Sequence, residues 1–372
     1  MADSIYDLEL SGFSLPSTNP AFFRKRRYKE GADDPAHENR YDFHTLFYDC
    51  FFDPASGQVI LACPTLLNFK KLIEAATFSL DGVISKPVKI EDKSRCSLVY
   101  FQSPVSAPQC LSIKHQGFGG NIAVGKSFLN EFKGLNALYA ISQNNKLEWI
   151  QDWLRYNVVN HGANAVVLAD NLSTDYSPSE LRQAIDEVEG IKCAVIIRAR
   201  FPFGPTDEAY NNVLYLQRSL AELYRIRFLG TARAVVNTDI DELFYSTSGQ
   251  SIFDATAESD AGYIRANAQW VYAASDADPA LMRHRDHGYV SRSGKPKANR
   301  KYALSPLGSQ KGRQWLTHFL GNRKDPVSPD FILWHFRQVS TSWKNDRALN
   351  EIELEPLPEL QKIMSQTFPK VP

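Results

Sequence analysis

The sequence contains no apolar run approaching the roughly 18 residues that a membrane-crossing helix needs, so no transmembrane span is expected. It has no excess charge of either sign, since 42 Lys and Arg balance 42 Asp and Glu. A chain without net positive charge exerts no global pull on nucleic acid, and no nucleic-acid partner is expected. Its five cysteines, Cys50, Cys63, Cys96, Cys110 and Cys193, are scattered and odd in number. No CxxC pair and no Cys/His set with zinc-finger spacing occurs, which argues against a disulfide framework or a zinc module. Buried thiols in a reducing compartment are the expectation. Residues 1–10 lack a basic stretch followed by an apolar one, so no signal peptide is visible. These absences together point to a soluble, cytoplasmic protein. Internal repeats and low-complexity tracts are missing too.

What is present is a globular composition, 43% hydrophobic and 23% charged, in a chain long enough for about two domains. Residues 1–40 read as irregular, with Pro16, Pro20, Gly31 and Pro35. Their basic run Arg24–Lys29 is either a solvated tail or a surface for anionic lipid or glycan at the inner face of a membrane. Residues 41–132 read as a β-rich accessory domain. Stretches 43–52, 58–66, 76–85 and 97–102 are rich in Val, Ile, Phe, Tyr or Thr and are separated by turn residues.

From residue 133 to 345 the pattern alternates. Residues 135–142, 165–169, 193–197 and 232–236 are short apolar strands. Between them, residues 146–161 carry Leu147, Ile150, Leu154 and Val158 at helical spacing, and Gly162 suits a C-cap. Ser177-Pro178-Ser179-Glu180 opens a second helix, and residues 207–228 form a long amphipathic third. The order βαβαβαβ predicts an α/β fold, a mostly parallel sheet covered by helices. Residues 346–372 are left as a tail. In such sheets ligands sit beyond the carboxyl ends of the strands, so chemistry is sought there.

Two strand ends stand out. The strand Ala234-Val235-Val236 runs into Asn237-Thr238-Asp239-Ile240-Asp241-Glu242. In extended geometry Asp239 and Asp241 face one side, where they repel unless a cation lies between them. Hard divalent ions prefer oxygen ligands, so Mn²⁺ or Mg²⁺ bridging to a diphosphate is the functional reading. Aspartates capping a turn are the structural one. At the other end, the strand over 165–169 leads into Asp170-Asn171-Leu172-Ser173-Thr174-Asp175. Its carboxylate and amide suit a base or ribose, or equally an Asx turn.

Residues 135–245 resemble a nucleotide-sugar glycosyltransferase of the GT-A type, with the closest likeness to family 92 and the related family 2-like group. The likeness lies in Gln143-Asn144-Asn145, Glu148-Trp149, Gly162, Asp170-Asn171-Leu172-Ser173-Thr174-Asp175 and Asp239-Ile240-Asp241-Glu242-Leu243-Phe244. Gln143 and Asn145 replace a Lys and a Glu of that pattern. Weaker likeness continues through Lys295-Pro296-Lys297, Pro306 and His318 to Trp334-His335-Phe336-Arg337 and Lys344.

The resemblance implies a Rossmann-like GT-A domain. It would be a hexosyltransferase-like enzyme that moves a sugar from a nucleotide-sugar donor, UDP-sugar favoured, to a glycan or lipid-linked glycan in surface polysaccharide assembly. It implies donor contacts at Gln143, Asn144, Asp170, Asn171 and Asp239. It implies metal ligation by Asp239 and Asp241, with His335 or His318 as a third ligand. Lys297, Arg300, Arg337 and Lys344 are candidate partners for phosphate oxygens, or else solvated surface cations. An inverting transfer needs a base, for which Asp286 is the candidate, set among Arg283, His284 and Arg285. Two rival readings are a silent GT-A domain used as a scaffold and a phosphohydrolase that also uses strand-Asp-x-Asp.

Overall fold

The computed structural model describes residues 4–26, 40–204, 213–274, 277–278, 281–292, 298–321, 327–339 and 353–369. It divides into two compact units. One comprises residues 1–8, 131–197 and 229–372, and the other comprises 9–130 and 198–228.

The first unit is built on an 11-stranded sheet. Its strands and helices, in chain order, are β1 (Ser4–Glu9), β2 (Asn136–Ser142), α1 (Leu147–His161), β3 (Ala165–Asp170), α2 (Pro178–Asp186), β4 (Cys193–Arg198), β5 (Ala234–Asn237), β6 (Glu242–Ser246), α3 (Ile252–Glu258), β7 (Tyr263–Ala273), β8 (His287–Ser291), β9 (Ala298–Leu304), β10 (Phe331–Phe336), β11 (Leu354–Pro356) and α4 (Pro358–Thr367). Along the sheet the order is β1-β4-β3-β2-β5-β9-β7-β8-β11, with β10 paired to β6 and β7. Strands β3, β4 and β5 are apolar runs buried over their whole length, as the interior of a helix-covered sheet requires. The fold class is therefore the α/β, Rossmann-like sheet of GT-A type expected from the sequence, with a β-rich region N-terminal to it.

Helix α1 buries Trp149, Ile150, Trp153, Leu154 and Tyr156 on one side, and these pack with Leu138, Val166, Ile196 and Val236 of the sheet. It ends where Gly162 adopts φ 70°, which lets its N–H reach the Asn157 and Val158 carbonyls. Helix α2 starts with a reciprocal cap between Ser177 and Glu180, and Pro178 occupies its first turn. Strand β2 runs parallel to β3 on one flank and to β5 on the other. The chain first winds from β2 out to β3 and β4, then returns to the far side of β2 as β5. That reversal opens a crevice at the carboxyl ends of β2 and β5.

The second unit holds two four-stranded antiparallel sheets, built from 49–53, 58–64, 87–93 and 96–102 and from 77–80, 83–85, 110–115 and 118–123. They enclose a core containing Leu46, Phe47, Leu61, Phe69, Phe78, Phe101 and Ile113.

Several elements differ from the sequence reading. Ser4–Glu9 lies in the stretch read as irregular, yet it is the edge strand of the large sheet. Leu354–Pro356 and Pro358–Thr367, read as tail, form a strand beside β8 and a helix whose Leu360 and Met364 join the core. The described part of the expected long helix is Tyr215–Leu223 followed by a π turn to Phe228. It belongs to the β-rich unit, where Ser219 donates to the Cys63 carbonyl at 2.9 Å and the Tyr215 and Tyr41 hydroxyls lie 3.2 Å apart. Arg24 is 1% exposed. Its guanidinium donates to the carbonyls of Asp42, Thr45 and Thr65 and lies over the Phe69 ring, so the first cation of the basic run serves the core and not a membrane surface. Residues 27–29 of that run lie outside the described residues. No helix among the described residues is long and apolar enough to cross a membrane.

Candidate functional site

The parallel strands deliver two polar turns to adjacent positions on one rim. Ser142, the last residue of β2, sits in register with Asp170, the last of β3. The Asn171 N–H donates to the Ser142 carbonyl at 2.8 Å, so this pairing runs one residue beyond the strand. Asn144 adopts φ 54°, a left-handed conformation that asparagine tolerates. Its Oδ1 accepts the Thr174 N–H at 2.7 Å, its Nδ2 donates to the Thr174 hydroxyl, and its own N–H donates to the Ser173 hydroxyl. Asn144 thus ties the loop after β2 to the loop after β3. The Asn145 amide donates to the Ser142 hydroxyl at 2.9 Å. Asp170 is buried, and the Tyr176 hydroxyl lies 3.5 Å from its carboxylate.

On the other flank of β2, strand β5 ends at Asn237, and Asp239-Ile240-Asp241 form a turn into β6. The Glu242 N–H closes that turn on the Asp239 carbonyl at 3.1 Å. This is where the extended-strand expectation fails: a turn replaces the extended geometry, and the two aspartates take different partners. Asp239 Oδ2 lies 3.0 Å from the Lys301 ammonium, and Asp241 Oδ2 lies 3.0 Å from Nε2 of His335. The turn itself is pinned from below. The Trp153 indole donates to the Thr238 hydroxyl at 3.1 Å, and the buried His284 ring nitrogen lies 2.9 Å from the Ile240 carbonyl.

Glu242, quoted in the sequence motif but given no role there, is central to this arrangement. Its carboxylate accepts the Asp239 N–H at 2.9 Å, lies 3.3 Å from the Lys301 ammonium and 3.8 Å from Nδ1 of His335. Glu242 and His335 face each other across the β6–β10 ladder. Lys301 projects from β9 and is fully buried. Burial opposes its charge, but Asp239 and Glu242 outweigh that and hold its pKa above the usual lysine value. Burial pushes the Glu242 carboxyl up, against the pull of Lys301. The His335 ring stacks on Trp270 of β7 with centroids 3.8 Å apart, and the Arg337 guanidinium lies 5.3 Å from the Trp270 ring centre. Sequence reading missed Lys301 and Trp270; neither sits in a motif, and only pairing between β7, β9 and β10 brings them here.

The donor chemistry of Asp239, Asp241, Glu242 and His335 suits a hard divalent ion, but their placement does not fit one. Lys301 stands between Asp239 and Glu242, and Asp241 is tied to His335. Among the described residues, no group of three or more His, Cys, Asp or Glu side chains is arranged to hold a metal ion.

The other expected site residues fall elsewhere. Asp286 is exposed and accepts the Arg283 N–H at 2.8 Å within its own 3₁₀ turn. The flanking Arg283 and Arg285 pair instead with Asp152, a fully buried residue of α1. His318 Nδ1 faces the Arg300 carbonyl at 3.1 Å. Gln143 is half-buried in the loop after β2. Lys297 and Lys344 lie outside the described residues.

No family model matches the chain, and no curated protein matches it. Among the solved structures that overlay parts of it are three with these figures. The mannosyltransferase Ktr4p from S. cerevisiae in complex with GDP is 13% identical over 36% of this chain and 40% of its own, with a TM-score of 0.25. Core-mannan synthase A from Aspergillus fumigatus, in an Mn/GDP form, is 11% identical over 40% of this chain and 44% of its own, with a TM-score of 0.26. HddC from Yersinia pseudotuberculosis is 10% identical over 63% of this chain and 99% of its own, with a TM-score of 0.28. The chain thus spans less than half the length of the first two. These overlays are partial, and the function proposed below rests on the residues themselves.

Proposed function

We propose that the chain is a glycosyltransferase that moves a sugar from a nucleotide-sugar donor to a glycan or glycoconjugate acceptor. The observation that carries this reading is the rim formed by β3, β2 and β5. It places Asp170 and Asn171 on one side of Ser142 and the Asp239–Glu242 turn on the other, at the point where strand order reverses. A carboxylate and an amide at the end of β3 can hydrogen-bond the nucleoside. Next to β2 on its other flank, the acidic turn with Lys301 and His335 supplies the charged groups that group transfer needs. The attacking hydroxyl must give up a proton, and the Asp241–His335 pair is the acceptor offered there. Their 3.0 Å contact holds the carboxylate and the imidazole in place against each other.

Mn²⁺ or Mg²⁺ is the cofactor that the sequence implies for such a transfer. At this turn the ion would have to displace Lys301 from Asp239 and His335 from Asp241, so no step is assigned to it.

The test is a thermal-shift panel of UDP-, GDP- and CMP-sugars, run with Mn²⁺ and with EDTA and followed by transfer assays on glycan acceptors. One donor should raise the melting temperature by mass action, and the shift should shrink in Asp170→Ala. If no nucleotide sugar shifts the wild type, the proposal is wrong. Binding without turnover on any acceptor would favour the scaffold reading, and hydrolysis of a simple phosphate ester would favour the phosphohydrolase.

A further inference from the structure

A cavity of about 790 Å³ is bounded by strands β7, β9 and β10 and by residues 318–319 and 328–329. Two arginines line it, Arg265 from β7 and Arg300 from β9, and among the described residues no Asp or Glu does. The Arg265 Nε is buried without a hydrogen-bond partner, and neither guanidinium has an ion-pair partner among the described residues. A charged donor withdrawn from water and left without an acceptor is costly, so this geometry asks for an anion. The rest of the lining adds a second requirement. Asn267, Gln269 and Asn299 present amides, which can both donate to and accept from hydroxyls. Phe319 and Phe331 border the cavity with rings that can meet the apolar face of a sugar.

We propose that this cavity is a binding site for an anionic saccharide, a sugar unit bearing a carboxylate or a phosphate that Arg265 and Arg300 engage. The amides would read its hydroxyls and the two phenylalanines would hold its ring. A volume of this size is within the range of small-ligand sites. As a subsite for the acceptor, the cavity rests on the transferase reading above; as a saccharide site it stands apart from that reading.

The test is calorimetric titration of the full chain, without nucleotide, using four probes: glucuronate, glucose 6-phosphate, glucose and inorganic phosphate. The anionic sugars should bind, with glucose and inorganic phosphate each weaker by about tenfold or more, the loss of one charge-assisted contact set. Comparing glucuronate with glucose 6-phosphate tells which anion the arginines select. Arg265→Gln should weaken the preferred probe by about tenfold or more, with an unchanged circular dichroism spectrum. If that variant does not fold, Arg300→Gln at the exposed side of the same cavity answers the same question. Equal binding of glucose and its anionic counterparts would overturn the proposal. So would binding of inorganic phosphate as tight as glucose 6-phosphate, absence of binding by either anionic sugar, or an affinity indifferent to both arginine changes. The transferase reading fails separately, when no nucleotide sugar binds or is turned over.

Discussion

The Lys301 ammonium lies 3.0 Å from Asp239 and 3.3 Å from Glu242, and the lysine and glutamate side chains are each 1% exposed. A lysine on one antiparallel strand thus supplies the positive charge that the paired acidic residues of the β5–β6 turn require. The carboxylates are not waiting for a counter-ion; the fold brings one.

Removing that charge should therefore be expensive. Lys301→Met leaves the buried Glu242 without its ammonium partner, and breaking one partner of a buried pair typically costs about 3–5 kcal/mol. The double change Lys301→Met/Glu242→Gln removes both charges and should recover much of that loss in urea denaturation. For the same reason, the donor-induced thermal shift of the wild type should survive excess EDTA. A shift that appears only with Mn²⁺ would mean that the ion displaces Lys301 from Asp239.

His335 and Asp241 should act as a unit. His335→Gln and Asp241→Asn should each lower kcat by about 10²-fold or more, the lower end of what a positioned proton acceptor supplies. The double variant should lose little beyond either single one, because residues acting together are not additive. Multiplicative losses in the double variant would separate the two roles.

Asp170→Ala should raise the donor KM more than it lowers kcat, since the nucleoside is remote from the reacting carbon. The measurement is a donor titration at saturating acceptor. An unchanged KM would remove Asp170 from the nucleoside contact.

Asp286 offers a contrast. It is exposed, and its contact is with the N–H of Arg283 in its own turn. Asp286→Ala should lower stability by about 1 kcal/mol, as for a lost cap, and leave kcat within about threefold of wild type. A loss of 10²-fold would restore it as the base.

Stability should fall on mild acidification. Burial lowers the His161 and His287 pKa values from 6.5 to about 4, and it lowers His284 as well. In His161 the bonding explains the neutral ring. Nε2 lies 2.7 Å from the Phe244 carbonyl, and Nδ1 accepts the Ile252 N–H at 3.3 Å, so a second proton has no acceptor. Below pH 6.5 the unfolded chain takes up protons that the folded chain refuses until about pH 4, so stability declines across that window as pH falls. At pH 5 His161 alone accounts for roughly 2 kcal/mol. Melting temperatures at pH 7 and pH 5 measure the total, and His161→Gln should flatten the dependence.

The chain's local chemistry determined much of the first unit. Uninterrupted apolar runs such as those of β3 and β4 can only be interior strands, and Gly162 and Ser177-Pro178-Ser179-Glu180 fix helix ends through contacts within a few residues. The alternation of these elements brings the polar turns after β3 and β5 to one rim, so Asp170, Asn171, Asp239 and Asp241 were legible as site candidates. Which partner each would take was not. His335 and Asp241 are 94 residues apart, and Arg24 reaches the Thr65 carbonyl across 41. A lysine read alone is a solvated cation; only the pairing of β9 with β7 and β5 buries Lys301 against Asp239. The amphipathic pattern of residues 207–228 was equally plain, but amphipathicity says that a face is buried and not which sheet buries it. Tertiary packing decided that, as it decided that Asp239 and Asp241 diverge in a turn, because both outcomes depend on side chains that the sequence places far away.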